Sequence, residues 1–219
     1  MKSCPYAADV DLSNITFNSP TKSSKGSGNM VQLRSNYDPI RFQLSENVKS
    51  PMTINKVWEQ NPAGDYPFDL TVSDPKLEGW CKTFDDEIIK YISENGKECN
   101  LKQIDSLESA KEYYNSIVRV PDEERYAKTI RLKLKSEGGA EQKTQILRVV
   151  DESLLSEGNG VEEGSIEDLK KGCNVIVVAE APYIWLGKGP RDGRITLIAK
   201  NVLVWPVQET NGLSAFKLR

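Results

Sequence analysis

The sequence contains no histidine, and this absence removes most of the common catalytic chemistry. Without an imidazole there is no histidine general acid or base, no Ser-His-Asp or Cys-His triad, and little basis for a transition-metal site. We therefore expect no catalytic activity, no cofactor and no metal. A pair of catalytic carboxylates, as in glycosidases, stays open in principle, but the spacing of the acidic residues suggests no such pair.

Long apolar runs and paired cysteines are also absent. No apolar stretch approaches the ~18 residues that a membrane helix needs, and no apolar segment follows residues 1–6, so neither a membrane span nor a secretory signal is expected. The four cysteines are Cys4, Cys81, Cys99 and Cys173, and they include no C-x-x-C pair. This spacing argues against a zinc site and favours an intracellular, reducing compartment.

The net charge is only −3, but the charges are segregated along the chain. Residues 151–168 contain seven acidic residues and no Lys or Arg, whereas residues 126–148 contain six basic residues and two acidic ones. Residues 186–204 contain four basic residues and one acidic residue. Such segregation can produce a positive groove on an acidic molecule, although charges that merely cover a solvated surface would look the same.

The order of predicted elements is strands, two helices, then strands. Strands are expected at 29–34, 40–44, 66–72, 126–135 and 143–150, with a weaker candidate at 51–58 and a turn at 136–140 that makes 143–150 a return strand. A helix is expected from Phe84, with Asp85 and Asp86 in its first turn, and a second helix at about 106–117. This order indicates a mainly β, α+β fold: a mostly antiparallel barrel with a two-helix insertion at about 84–118. The expected boundaries are a flexible segment at 1–28, one domain at 29–206 and a tail at 207–219.

Residues 126–135 alternate strictly between apolar and polar side chains. Because side chains alternate between the faces of a strand, Ile130, Leu132 and Leu134 are predicted to face the core. The opposite face then carries a row of cations: Arg131, Lys133 and Lys135. Such a row is suited to nucleic-acid phosphates, but it could equally be a solvated face or a charged edge strand.

The last quarter of the chain predicts a long β-hairpin, with strands at 174–186 and 194–205. Its glycine-rich turn carries Lys188 and Arg191, with Arg194 directly after it, and cations beside glycine can approach phosphates closely. Tyr183 and Trp185 share the parity of the core face. A bulge near Pro182 would instead bring both rings to the surface, where they could stack on bases.

Three segments together resemble a known family: SNYDPIRFQL at 35–44, RYAKTIRLKL at 125–134, and the hairpin region 169–204. They are similar to the single-stranded DNA-binding proteins of large nucleocytoplasmic DNA viruses, which are related in fold to those of T7-like phages. The resemblance implies a five-stranded oligonucleotide/oligosaccharide-binding (OB) barrel, located in cytoplasm, nucleus or viral factory. It places six cations near a DNA track and two aromatics as stacking candidates: Arg131, Lys133, Lys188, Arg191, Arg194 and Lys200, with Tyr183 and Trp185.

The expected function is sequence-independent binding of single-stranded DNA, or RNA, in replication, recombination or repair. Replication or recombination proteins are the expected partners, with no membrane partner and with a homo-oligomer left open. One departure from the phage proteins is the basic end of the chain, 215–219, where those proteins carry an acidic tail. The alternative function is a non-catalytic β-barrel that docks to protein partners through the acidic loop 151–168.

Overall fold

A computed structural model describes residues 4–23, 28–36, 38–44, 48–51, 65–136 and 143–207 of the chain. These residues form one sheet of 13 strands and two α-helices, which confirms the mainly β prediction. The helices are α1, Pro75–Asn95, and α2, Leu107–Tyr113. The strands are β1 Ile15–Phe17, β2 Thr21–Lys22, β3 Asn29–Ser35, β4 Ile40–Gln43, β5 Val48–Lys49, β6 Asp65–Thr71, β7 Tyr114–Asn115, β8 Val118–Arg119, β9 Thr129–Lys135, β10 Gln145–Val149, β11 Val161–Glu163, β12 Asn174–Leu186 and β13 Gly193–Trp205.

The β12–β13 hairpin is the centre of the sheet. On its side away from β13, β12 pairs antiparallel with β3, β4 and β5 in turn. On its side away from β12, β13 pairs in parallel with β7, β9 and β10. Among the described residues the sheet is open and has 13 strands, so the predicted five-stranded barrel is not confirmed. Where β5 and β6 approach each other, Lys49 and Thr71 are joined through the Thr71 hydroxyl.

Strand β10 does not return along β9, so the predicted hairpin at 126–150 is wrong. Both strands run parallel to β13, β9 at Ile198 and Ala199 and β10 further along the same edge. The Thr144 hydroxyl accepts from the Lys135 amide at 2.8 Å and donates to the Ala199 carbonyl at 2.6 Å. Thr144 thereby joins β9 to β10.

The core is a single cluster that includes residues from Ala7 to Val204. The apolar residues of β9, Ile130, Leu132 and Leu134, are all buried in it, as their alternation predicts. Helix α1 covers one side, where Trp80 packs on Phe42 with ring centroids 4.7 Å apart. Neither of the two described helices has the length and apolarity that crossing a membrane requires.

Part of the segment predicted to be flexible, residues 1–28, belongs to the sheet. Strand β1 pairs antiparallel with β3, and Phe17 stacks on Tyr91 of α1 with centroids 4.3 Å apart. These contacts bury enough apolar surface to fix β1. The candidate strand at 51–58 and the tail at 207–219 lie outside the described residues, apart from positions 51 and 207.

Helix α1 begins at Pro75, nine residues before the predicted start. The Asp74 side chain caps it by accepting from the Lys76 amide at 2.9 Å, and proline suits the first turn of a helix. Asp85 is therefore in the middle of the helix, and the prediction that it occupies the first turn is wrong. Its buried carboxylate accepts from the Tyr114 hydroxyl at 2.9 Å and from the Ile117 amide at 3.1 Å. The second predicted helix agrees at its start, since Ser106 caps α2.

We predict that Asp85 makes the protein less stable as the pH rises. Burial raises the pKa of the Asp85 carboxyl to about 7, despite the opposing hydrogen bonds from Tyr114 and Ile117. Between the ordinary pKa of about 4 and this raised value, the folded state holds a proton that the unfolded chain releases, so stability falls as pH rises. From pH 5 to pH 8 the Asp85 contribution falls by about 2 to 3 kcal/mol.

Urea unfolding of the wild type and Asp85→Asn at both pH values measures this effect, because all other groups cancel in the comparison. The free energy of unfolding of the variant, relative to the wild type, should rise with pH. A difference between the two proteins that is the same at pH 5 and pH 8 would contradict the assignment.

Candidate nucleic-acid interface

Hydrogen bonds from the end of α2 and from β7 hold the basic turn of the hairpin in place. The Tyr113 hydroxyl donates to the Gly187 carbonyl at 2.7 Å. The Asn115 amide donates to the carbonyls of Arg191 and Gly193, at 2.5 and 3.1 Å. Arg191 has a φ of 53°, a left-handed conformation that non-glycine residues rarely adopt. These hydrogen bonds stabilise that backbone conformation.

Four arginines line one cleft of about 500 Å³ beside this turn: Arg119, Arg131, Arg191 and Arg194. The cleft lies where the edge of β13 has no strand partner among the described residues. Strand β7 pairs with β13 at Gly193 and Arg194, and β9 begins to pair only at Ile198. Ile195 and Leu197, from the unpaired stretch, also line the cavity. We call this cavity the arginine cleft.

The four guanidinium groups differ in how far their charge is balanced. Arg131 makes a bidentate pair with Asp69, with both distances 2.7 Å, and Arg194 lies 3.7 Å from Asp192. Arg119 and Arg191 form no ion pair with any residue that the structure describes. Partial burial, together with the charges of Arg131 and Arg194, lowers the pKa of Arg119. The cleft thus concentrates positive charge that an anion would relieve.

The cation row of β9 is only partly available. Strand β6 pairs with β9 in a register that places its acidic residues on the same face. Asp69 binds Arg131, and Asp65 lies 3.9 Å from Lys133. The predicted single-sided row is present, but the sequence of β9 alone could not show that the neighbouring strand neutralises part of it.

Tyr183 and Trp185 are partly exposed, so the interpretation that their parity puts them in the core is wrong, and the alternative, a bulge near Pro182, is observed. The β12–β13 register shifts between Glu180 and Tyr183, where Pro182 offers no backbone donor. After the shift, Ile184 and Leu186 are the buried residues, and both aromatic rings are partly exposed.

Trp185 lies directly beside a cleft arginine. In the ladder its partner on β13 is Arg194, and paired residues of antiparallel strands share a face, with Cβ atoms about 5 Å apart. The indole also covers Gly28, where a Cβ would lie 2.6 Å from the ring. The aromatic side chain is therefore a cross-strand neighbour of Arg194, and part of its ring lies over Gly28.

Four of the seven predicted cations do not line the arginine cleft. One of them is Lys133, which lies beside Asp65 of β6. Lys188 lines a smaller cleft together with Lys22 and Asn29. Lys135 lines a third cleft beside β10, and Lys200 occupies the other register shift of β13, between the paired residues Ala199 and Asn201. The structure therefore brings together Arg131, Arg191 and Arg194 of the predicted cations, next to Trp185.

Sequence reasoning missed Arg119. It belongs to the two-residue strand β8, which pairs with the start of β9. The only signal was a short apolar–basic–apolar alternation, Val118 to Val120, before Pro121. A strand this short is indistinguishable from a loop by periodicity.

The acidic loop 151–168 lies at the edge of the sheet where β11 is the last strand. Its strand β11 pairs with β10, and Arg148 of β10 contacts both Glu162 and Asp168. Glu152, Glu157 and Glu163 are exposed. Arg148 thus balances part of the charge of the loop, and at least three of its carboxylates face solvent.

No protein-family model and no curated protein matches the chain. Among solved structures it is similar to the single-stranded DNA-binding protein from bacteriophage Enc34 in complex with ssDNA, at 18% identity and a TM-score of 0.44, over 88% of this chain and 97% of that one. It is also similar to gp2.5, a single-stranded DNA-binding protein encoded by bacteriophage T7, at 16% identity and a TM-score of 0.49, over 82% and 98%. A protein of phage T7 is thus among the solved structures to which this chain is similar, in line with the phage relatives named from the sequence.

We predict that Gly193 is essential for seating the hairpin turn. A Cβ at this position would lie 2.5 Å from the ring of Tyr113, whose hydroxyl is fixed on Gly187. Gly193→Ala should therefore cost about 1–3 kcal/mol of unfolding free energy, as overpacking usually does. Gly79→Ala is the matched control, because a Cβ there would meet nothing within 4 Å. In the interior of α1 it should gain about 0.5–1 kcal/mol, and equal effects of both substitutions in urea unfolding would refute this account.

Proposed function

We propose that this chain binds single-stranded DNA without sequence preference and acts in DNA replication, recombination or repair. The observation that carries the proposal is the arginine cleft. Its four cations come from three separate parts of the chain, and a partly exposed tryptophan, Trp185, is the ladder partner of one of them. Backbone-tracking cations beside an aromatic platform are the combination with which proteins hold unpaired nucleic acid.

The four arginines of the cleft have different roles in binding phosphates. Arg119 and Arg191 have no ion-pair partner among the described residues, so they can bind phosphate oxygens without first breaking a contact. Arg131 and Arg194 are oriented by Asp69 and Asp192 and retain exposed surface. Guanidinium groups suit this role because their fork of donors matches two phosphate oxygens.

Trp185, and Tyr183 two residues before it, supply the surface on which bases stack. Every base has an aromatic face, so stacking and phosphate contacts discriminate little between sequences. The proposal therefore includes no base-edge recognition and no catalytic step. RNA of the same length is the competing ligand, and a competition titration separates the two.

Replication or recombination proteins are the proposed partners, in an intracellular, reducing compartment. All four cysteines are free thiols, and Cys81, Cys99 and Cys173 are buried, which suits such a compartment.

Binding should weaken steeply with salt, because cations that engage phosphates release condensed counterions. With four cleft arginines engaged, the slope of log K against log[salt] should be about −3. Fluorescence anisotropy with a mixed-sequence oligonucleotide between 50 and 300 mM NaCl measures it. An affinity that is unchanged over this range would refute the proposal.

Removing the two unpaired arginines tests the cleft itself. Arg119→Ala/Arg191→Ala should weaken binding at least tenfold, since hydrogen bonds to charged groups contribute about 1.5–3 kcal/mol each. Lys82→Ala/Lys90→Ala removes the same charge from the exposed side of α1 and is the matched control. Equal losses in both double variants would show that only overall charge matters.

Trp185→Ala should weaken binding by about 1–3 kcal/mol, the usual contribution of one stacked base, and Trp185→Phe should recover part of it. Tyr6→Ala, which removes another exposed aromatic ring, is the control and should leave affinity unchanged. Wild-type affinity in Trp185→Ala, with unfolding unaltered, would exclude stacking on this ring.

A further inference from the structure

One buried carboxylate joins three elements behind the arginine cleft. Asp85 of α1 accepts from the Tyr114 hydroxyl of β7 at 2.9 Å. The Ile117 amide, between β7 and β8, donates to both Asp85 oxygens at 3.1 Å. The Ile195 amide of β13 in turn donates to the Tyr114 hydroxyl. A continuous set of hydrogen bonds thus runs from β13 through Tyr114 to Asp85 and on to Ile117.

These bonds lie directly behind the walls of the cleft. Ile117 and Ile195, the two residues whose amides they engage, both line it. The segment from Tyr114 to Arg119 also carries Asn115, which holds the backbone of Arg191, and ends at Arg119 itself. The positions of both unpaired arginines therefore depend on a segment that Asp85 fixes to α1.

Stability alone does not account for a carboxylate here. The other buried residues of α1 are Leu77, Trp80, Cys81, Phe84, Ile88, Ile89 and Ile92. A buried carboxyl group within such a set costs desolvation energy that an apolar residue of similar volume would not. What the carboxylate offers is two acceptor oxygens in a fixed place, which satisfy the Ile117 amide and the Tyr114 hydroxyl together.

We propose that Asp85 is a positioning residue for nucleic-acid binding: from behind the cleft it holds the segment from Tyr114 to Arg119 against β13, and so keeps Arg119 and Arg191 directed at the same phosphates. The proposal rests on the proposed function. It adds that Asp85, which is buried and does not contact DNA, determines how many cations bind the DNA.

Substitution of Asp85 tests this through the number of cations engaged. Asp85→Ala removes both acceptors, so binding should weaken about tenfold and the salt slope should become shallower by about 1.4, the share of two cations on a single strand. Asp85→Asn keeps the Oδ1 acceptor that both donors reach, and should restore affinity to within about threefold of wild type. Ile92→Ala, a cavity two turns along the same helix, is the control: it lowers stability and should leave the slope unchanged.

Tyr114→Phe gives a second, milder test that does not depend on the folding of Asp85→Ala. It removes the hydroxyl between Asp85 and Ile195 and should also make the slope shallower, without adding to the effect of Asp85→Ala when both are present. Amide hydrogen exchange without DNA should be faster at Ile117 and Ile195 in Asp85→Ala than in Ile92→Ala.

The outcomes separate the two proposals. If the wild type shows no salt-dependent binding, the proposed function fails. If the wild type binds and Arg119→Ala/Arg191→Ala makes the slope shallower, but Asp85→Ala and Tyr114→Phe keep the wild-type slope, the function stands and the role of Asp85 is overturned. A slope reduced equally by Ile92→Ala would also overturn it, because the effect would then follow stability alone.

Discussion

The interface depends on an interruption of pairing along one edge of β13. Strand β7 leaves that edge after Arg194 and β9 joins it at Ile198, so a short stretch of backbone has no strand partner among the described residues. Strand β9 brings Arg131, its neighbour β8 brings Arg119, and the hairpin turn brings Arg191. Residues far apart in the sequence therefore meet because each belongs to an element that ends or begins at the same gap.

The same arrangement explains how a chain with a net charge of −3 can present a positive site. Acidic residues lie beside many of its cations, as Asp69 does beside Arg131 and Glu180 beside Arg41. Such exposed pairs add little stability but reduce the local field. Within the arginine cleft, Arg119 and Arg191 have no ion-pair partner among the residues that the structure describes.

Sequence periodicity predicted the elements that depend only on residues close together in the sequence. The alternation of β9 and β12, the hairpin turn and the bulge at Pro182 all depend on neighbouring residues, and the structure contains each of them. The features that the sequence did not predict depend on pairing between residues far apart in the chain. They are the parallel partners of β13, the acidic residues opposite the β9 cations, and the strand that carries Arg119. The early start of α1 was predictable, since Asp74 and Pro75 form a cap signal that the pattern beginning at Phe84 obscured.

Arginine footprinting tests the central claim, that separate arginines form one site for unpaired DNA, most directly. Phenylglyoxal labelling with mass spectrometry would follow each guanidinium with and without a short mixed-sequence strand. The account predicts joint protection of Arg119, Arg191 and Arg194, with no change at Arg125, which is exposed and paired with Glu123. Protection that spares these three residues, or that extends equally to Arg125, would contradict it.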